Sequence, residues 1–416
     1  MKNTPFVPVC AFFGLLLLAP VWLVHPQTEE SGGLITGLAI YGLKRTKLRT
    51  VEAALRQFIG RQADTLDTDE VYAAVLDTGV LEPVSITVKD DENGKILAVT
   101  VREKWALFPL PIVFAGSGEL NAGLFFVDSN ALGLTDKFFL GGIYGSDFWM
   151  LTSGYMHTDR KGAPGWMASG AFARSERRDK DQNNMDIRRF NLDSIDALLG
   201  ISYQFTGIMT ARLQLHYHQM TLRESESPLR EPETGAIAIG VTALAVWRKS
   251  GWDGFLTSEK SLTAGYAFIG GINGPSFSEM RLRGTYQQPI VPGFKFNLGS
   301  GLLYQPGVPP LFESAPHAAA VNILPNSFSA RHYAGVSGGF EKYLFKISSI
   351  GTLSALASYQ AVFSDGSILG GRLDHGVAGS VVFYLSRLAI PAMGIGAAYN
   401  VRAKYFHFSF SMGMMF

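Results

Sequence analysis

The chain has 416 residues, with 36 Lys+Arg against 35 Asp+Glu, 47% hydrophobic and only 17% charged residues, 46 Gly, 29 Phe and a single Cys. A net charge of +1 leaves no global basic field to attract nucleic acid, one Cys excludes a disulfide framework or a Cys-rich metal module, and the abundance of Phe, Leu and Ile excludes intrinsic disorder. A mean hydropathy of +0.14 without an internal run of about 20 apolar residues argues against a helical membrane protein, yet suits a β-barrel, in which apolar and polar residues alternate.

Residues 1–30 read as an export signal. Lys2 is the only charge before Glu29, and the uncharged stretch from Phe6 to Val24 contains the run Leu15 to Leu18. Pro8 and Pro20 interrupt this stretch, which disfavours an uncleaved anchor. Residues 33–104 predict a small mixed domain. Ile35, Leu38 and Ile40 begin a strand ending at Gly42, and a helix from Leu48 to Ile59 places Val51, Leu55, Phe58 and Ile59 on one face. Asp67 and Glu70 form a capping pair for a second helix, with Val71, Val75 and Leu76 inward and Gly79 as its stop. Val84, Ile86 and Val88 alternate before an Asn93-Gly94 turn, and Leu97, Val99 and Val101 alternate on the return strand. The order is β-α-α-β-β.

Residues 115–416 form a succession of fifteen alternating segments, from 119–128 to 405–416. A barrel with both ends on one side of a membrane needs an even number, so the expected architecture is an all-β transmembrane antiparallel barrel of about sixteen strands. Within 209–223, Ala211, Leu213, Leu215 and Tyr217 make one face, and Thr210, Arg212, Gln214, His216 and His218 the other. In the last segment Phe406, Phe408, Phe410, Met412, Met414 and Phe416 share a face, opposite His407, Ser409, Ser411 and Gly413. Such an edge would aggregate in water.

The β-α-α-β-β order, with Ile40-Tyr41-Gly42-Leu43 before the first helix and Val99 to Lys104 closing the last strand, resembles one polypeptide-transport-associated (POTRA) domain, the module that precedes the barrel in the Omp85 superfamily. Phe126 to Gly133 resembles that family's first hairpin, and the terminal Phe416 on an amphipathic strand resembles the C-terminal assembly signal of Gram-negative outer-membrane proteins. The resemblance implies an Arg in the sixth extracellular loop, folded into the lumen. The match is Arg331 in Ala330-Arg331-His332-Tyr333, although His332 stands where the family has Gly. It further implies carboxylate partners on the next strands, for which Glu341 and Asp365 fit by order and spacing; Arg372 is a rival with too few strands after it. Gly413 and the glycines of the first strand are consistent with a weakly paired seam.

The Gly335-Val336-Ser337-Gly338-Gly339 match to a nucleophile pattern lacks a following helix, and His216 with His218 lacks a third metal ligand. No P-loop, dinucleotide fingerprint or paired-Cys zinc site occurs. No enzymatic activity, metal or cofactor is therefore expected. The resemblance implies an outer-membrane protein that assists insertion or translocation of polypeptides by POTRA strand augmentation and a laterally opening seam. Its partners would be the lipid bilayer, extended client polypeptides and accessory proteins. A two-partner-type secretion pore and a passive porin-like channel are the alternatives.

Overall fold

The computed structural model describes residues 33–412, apart from residue 93 and the stretches 117–118, 146–147, 158–162, 181–185, 227–234, 254–255, 315–320, 325–327, 348–350, 367–369 and 386–392. The export signal, Gly413 and Phe416 lie outside the described residues.

The N-terminal domain runs β1 (Ile35–Tyr41), α1 (Leu48–Leu55), a 3-10 turn (Arg56–Phe58), α2 (Thr68–Leu76), β2 (Leu81–Asp91) and β3 (Gly94–Glu103). Its sheet has the order β1-β3-β2, with β1 parallel and β2 antiparallel to the central β3. Val51, Leu55 and Phe58 from the first helical segment and Val71 and Val75 from α2 close over Leu97, Val99 and Val101 of β3. Three details differ from the sequence expectation. The first helix tightens into the 3-10 turn one turn early. Asp67 caps α2 by accepting from the Asp69 N–H, but Glu70 turns to Arg61 at 2.6 Å instead of completing the box. Val84 is 62% exposed because a register shift between Pro83 and Ser85 breaks the alternation of β2.

The remainder is one sixteen-stranded antiparallel sheet in sequence order. Its strands are β4 (Leu107–Gly116), β5 (Glu119–Ala131), β6 (Asp136–Gly145), β7 (Phe148–His157), β8 (Gly165–Lys180), β9 (Asp186–Thr206), β10 (Met209–Glu226), β11 (Gly235–Asp253), β12 (Leu256–Gly271), β13 (Phe277–Val291), β14 (Phe294–Tyr304), β15 (His332–Ile347), β16 (Gly351–Asp365), β17 (Arg372–Leu385), β18 (Met393–Asn400) and β19 (Tyr405–Met412). The sheet closes on itself where β19 comes to lie beside β4, with Cα atoms within 8 Å. The strand that the fifteen segments omit is β4, so the barrel begins at Leu107 rather than at 115. In the middle of β10 the outward residues are apolar and the inward ones polar: Leu213 and Leu215 are each 48% exposed on the outside, while Gln214 and His216 point inward. The end carrying the N-terminal domain is the proximal end below.

Candidate functional site

Three features of the barrel bear on function: its seam, the loop inside it, and a charged cluster in its wall. Every neighbouring pair from β4 to β19 forms a ladder, but among the described residues no ladder joins β4 to β19. The reason is written in β4. Pro109 and Pro111 stand opposite Phe126 and Leu124 in a continuous ladder with β5. A proline is tolerated in such a ladder only where its nitrogen points away from the partner strand. Both nitrogens therefore face β19, and the edge that would zip the barrel shut lacks two donors. On the other lip, Phe406 and Phe408 are 52% and 60% exposed on the outer face and meet edge to face at 5.0 Å. Phe410 continues this strand opposite Ile395 of β18.

The connection between β14 and β15, residues 305–331, is the sixth loop at the distal end. Its base is pinned where Ser314 and Ala330 exchange two backbone hydrogen bonds of 3.1 Å. Tyr333, 1% exposed, donates its hydroxyl to the Ser314 carbonyl at 2.8 Å. The descending arm puts Val308 and Phe312 against Ala238, Ile269 and Phe277, and Leu311 against Leu192. The returning arm buries Val321, Ile323, Leu324 and Phe328 against Leu303, Val362 and Ala398. The loop thus bridges strands on well-separated parts of the wall. Burying Val308, Leu311, Val321, Ile323, Leu324 and Phe328 at roughly 1.5–3 kcal/mol each contributes on the order of 9–18 kcal/mol as an upper estimate.

Arg331 does meet Asp365: Nε and Nη2 donate to one carboxylate oxygen at 3.2 and 3.1 Å, and the Arg331 N–H donates to the Asp365 carbonyl at 3.0 Å. The side chains are 42% and 22% exposed, so this pair contributes no more than about 1 kcal/mol. Apolar contact, not the ion pair, holds the loop in the lumen. Arg372 is bidentate to Asp374 on its own strand, at 2.7 Å for each contact, and does not reach the loop-six position.

Glu341 is not a partner of Arg331. Ten residues of extended chain separate them, on the order of 30 Å, and Glu341 sits near the proximal end of β15. There it takes Lys295 Nζ at 2.9 Å, the Ser354 hydroxyl at 2.6 Å and the Tyr384 hydroxyl at 2.5 Å. Lys295 and Glu341 are both 2% exposed. One buried carboxylate therefore joins four consecutive strands, β14 to β17. Of the remaining candidates, His216 and His218 stack at 5.8 Å, and His218 Nδ1 lies 2.5 Å from Asp196. No group of three His, Cys, Asp or Glu able to hold a metal occurs among the described residues. Ser337 lies within β15, paired with Gly299 and Gln360, and the strand runs on to Ile347.

No protein-family profile and no curated protein sequence matches the chain. Solved structures do. BamA from Haemophilus ducreyi lacking POTRA domains 1-3 is similar over 91% of this chain and 83% of its own, at 13% identity and a TM-score of 0.54. CdiB from Acinetobacter baumannii (13% identity, TM-score 0.61) and CdiB from Escherichia coli (15%, 0.60) are similar over 91% of this chain and 73% and 75% of theirs. With the sixteen-strand ladder and the occupied lumen already described, these likenesses give the chain the β-barrel fold of BamA and CdiB.

Proposed function

We propose that the chain is an outer-membrane Omp85-type protein that admits extended polypeptide segments through the seam between β4 and β19. The N-terminal domain acts as a POTRA module on the periplasmic side. The observation that carries this reading is the placement of Pro109 and Pro111 on the edge of β4 that faces β19, where no ladder joins the two strands among the described residues. A closed barrel has no free edge and offers a client strand nothing to pair with. A seam whose edge lacks donors can part at low cost, and the exposed edges then template an incoming strand through main-chain hydrogen bonds. In the periplasm, β2 is an outer edge of its sheet, with Val84 and Val88 exposed, and presents a second template.

The lumen plug argues against the porin-like alternative, because loop six crosses the channel and buries its apolar residues there. The protein carries out no covalent chemistry in this reading. The test is reconstitution of the mature chain in liposomes, with an unfolded outer-membrane polypeptide supplied from outside. Protease-protected, membrane-integrated client is the expected result. Steady ion conductance without client integration would replace insertion by passive permeation, and client recovered free in the vesicle interior would replace it by secretion.

A further inference from the structure

The N-terminal domain is fastened to the outward side of the barrel rim. Leu124 and Phe126, on the outer face of β5, are 46% and 50% exposed. Asp128 continues that face and Asn130 follows within a register shift of the strand, yet they are only 8% and 2% exposed, because residues 44–47 lie over them. Arg45 pairs with Asp128, Asn130 Nδ2 donates to Thr46 Oγ1 at 2.8 Å, and the Lys47 N–H donates to the Gly133 carbonyl at 2.8 Å. Gly133 has φ +72°, and a Cβ there would run into the Arg45 carbonyl. The loop is held from behind by Glu103, whose carboxylate accepts the N–H groups of Lys44, Arg45 and Thr46 at 2.8–3.1 Å. At about 3.4 Å per residue, Asp128 lies roughly 7 Å beyond Phe126. The docked loop is therefore one step outside the apolar band, at the depth of lipid headgroups.

What surrounds the loop suits that depth. Lys44, Lys47 and Arg49 are exposed, and among the described residues no carboxylate pairs with them. Leu48 is 50% exposed, and Trp105 and Leu132 are each 68% exposed. Leu132 holds φ +56°, a conformation costly for a leucine, and displays its side chain outward. Trp105 lies two residues before the first residue of the first barrel strand, where an indole fits the bilayer interface.

We propose that Lys44, Lys47, Leu48 and Arg49, together with Trp105 and Leu132, form a membrane-contact face that binds the anionic phospholipid headgroups of the periplasmic leaflet. This rests on the barrel being lipid-embedded and goes beyond it by assigning the face and its ligand class. Cationic side chains supply headgroup attraction, and the apolar ones continue the greasy belt of β4 and β5 past the rim.

The test uses the full chain in nanodiscs of phosphatidylcholine with or without phosphatidylglycerol. A spin label at Leu48→Cys, with Cys10→Ser, is read for access to lipid-soluble oxygen against a water-soluble nickel chelate. The label is expected to enter the lipid phase only with phosphatidylglycerol. Combined Lys44→Gln, Lys47→Gln and Arg49→Gln should lower that occupancy roughly fivefold per charge, about a hundredfold in all. A label equally water-accessible in both lipids, or unmoved by the triple change, overturns the proposal. Heat-modifiable migration of the triple variant reports separately on the barrel. Should that variant fail to fold, brominated phosphatidylglycerol decides: it should quench the parent's emission more than that of Trp105→Phe, and equal quenching refutes the face.

Discussion

Replacing Pro109 and Pro111 together by Val tests the seam most directly. Each substitution supplies one N–H aimed at β19, and a backbone hydrogen bond contributes about 0.5–1.5 kcal/mol net. The pair should stabilise the closed seam by about 1–3 kcal/mol, a shift of roughly 5- to 150-fold toward closure at about tenfold per 1.4 kcal/mol. Global stability is the wrong readout. Removing two prolines also frees the unfolded chain, at about 0.4–1 kcal/mol each, and that loss cancels much of the gain. Opening of the seam occurs within the folded barrel and escapes this cancellation. Amide hydrogen exchange of 107–116 and 405–412 in nanodiscs, followed by mass spectrometry, should slow by the stated factor, with client insertion slowing alongside. Unchanged exchange and unchanged insertion in the double variant would refute the claim that missing donors weaken the seam. Pro289→Val, at a register shift in the β13–β14 pairing far along the wall, serves as the control and should leave both readouts alone.

Phe328→Ala should cost about 3–5 kcal/mol of barrel stability, and Arg331→Ala no more than about 1 kcal/mol, read as the temperature of the heat-modifiable transition; the reverse ranking would show that the ion pair holds the loop. Glu341→Gln leaves Lys295 charged and buried without its carboxylate and should cost about 3–5 kcal/mol in urea unfolding, whereas Lys295→Met combined with Glu341→Leu should recover most of it. A neutral single variant would contradict the buried network. Burial alone would raise the Glu103 pKa, but the N–H donors of Lys44, Thr46 and Arg45 outweigh it and hold the carboxylate below its ordinary 4.5. The stability it gives the docked loop is present above that ordinary value and is lost as pH falls through the lower folded value. Acid should therefore mobilise a spin label at Leu48→Cys, and Glu103→Gln should already be mobile at neutral pH.

Fifteen of the sixteen barrel strands were legible because outward Leu, Phe and Tyr recur at alternate positions along them. Pro109 and Pro111 hid β4, since two prolines in six residues argue against a strand wherever both edges are paired. They fit here because one edge of β4 is the seam. Asp365 lies against Arg331 and Glu341 does not: order along the chain locates a residue on a strand, and its height along the barrel follows only from counting residues from the loop. Loop six carried a readable signal of its own. A connection of this length rich in Val, Leu, Ile and Phe cannot lie in water at no cost, and those side chains do more for the plug than the arginine. The rim contact of Arg45 with Asp128 had no signature in either segment alone, because it depends on how the first domain meets the second.

That contact would give the proposed gate a handedness. The N-terminal domain continues directly from β3 into β4, with the Ser129 N–H donating to the Ala106 carbonyl at 2.9 Å, and its 44–47 loop grips the turn after β5. Domain, first strand and second strand are therefore bonded as a single leaf, while β19 belongs to the opposite jamb. In the proposed seam opening, a polypeptide paired to β2 would swing with that leaf and arrive already on the β4 side, leaving β19 as the vacant place for a newcomer to settle.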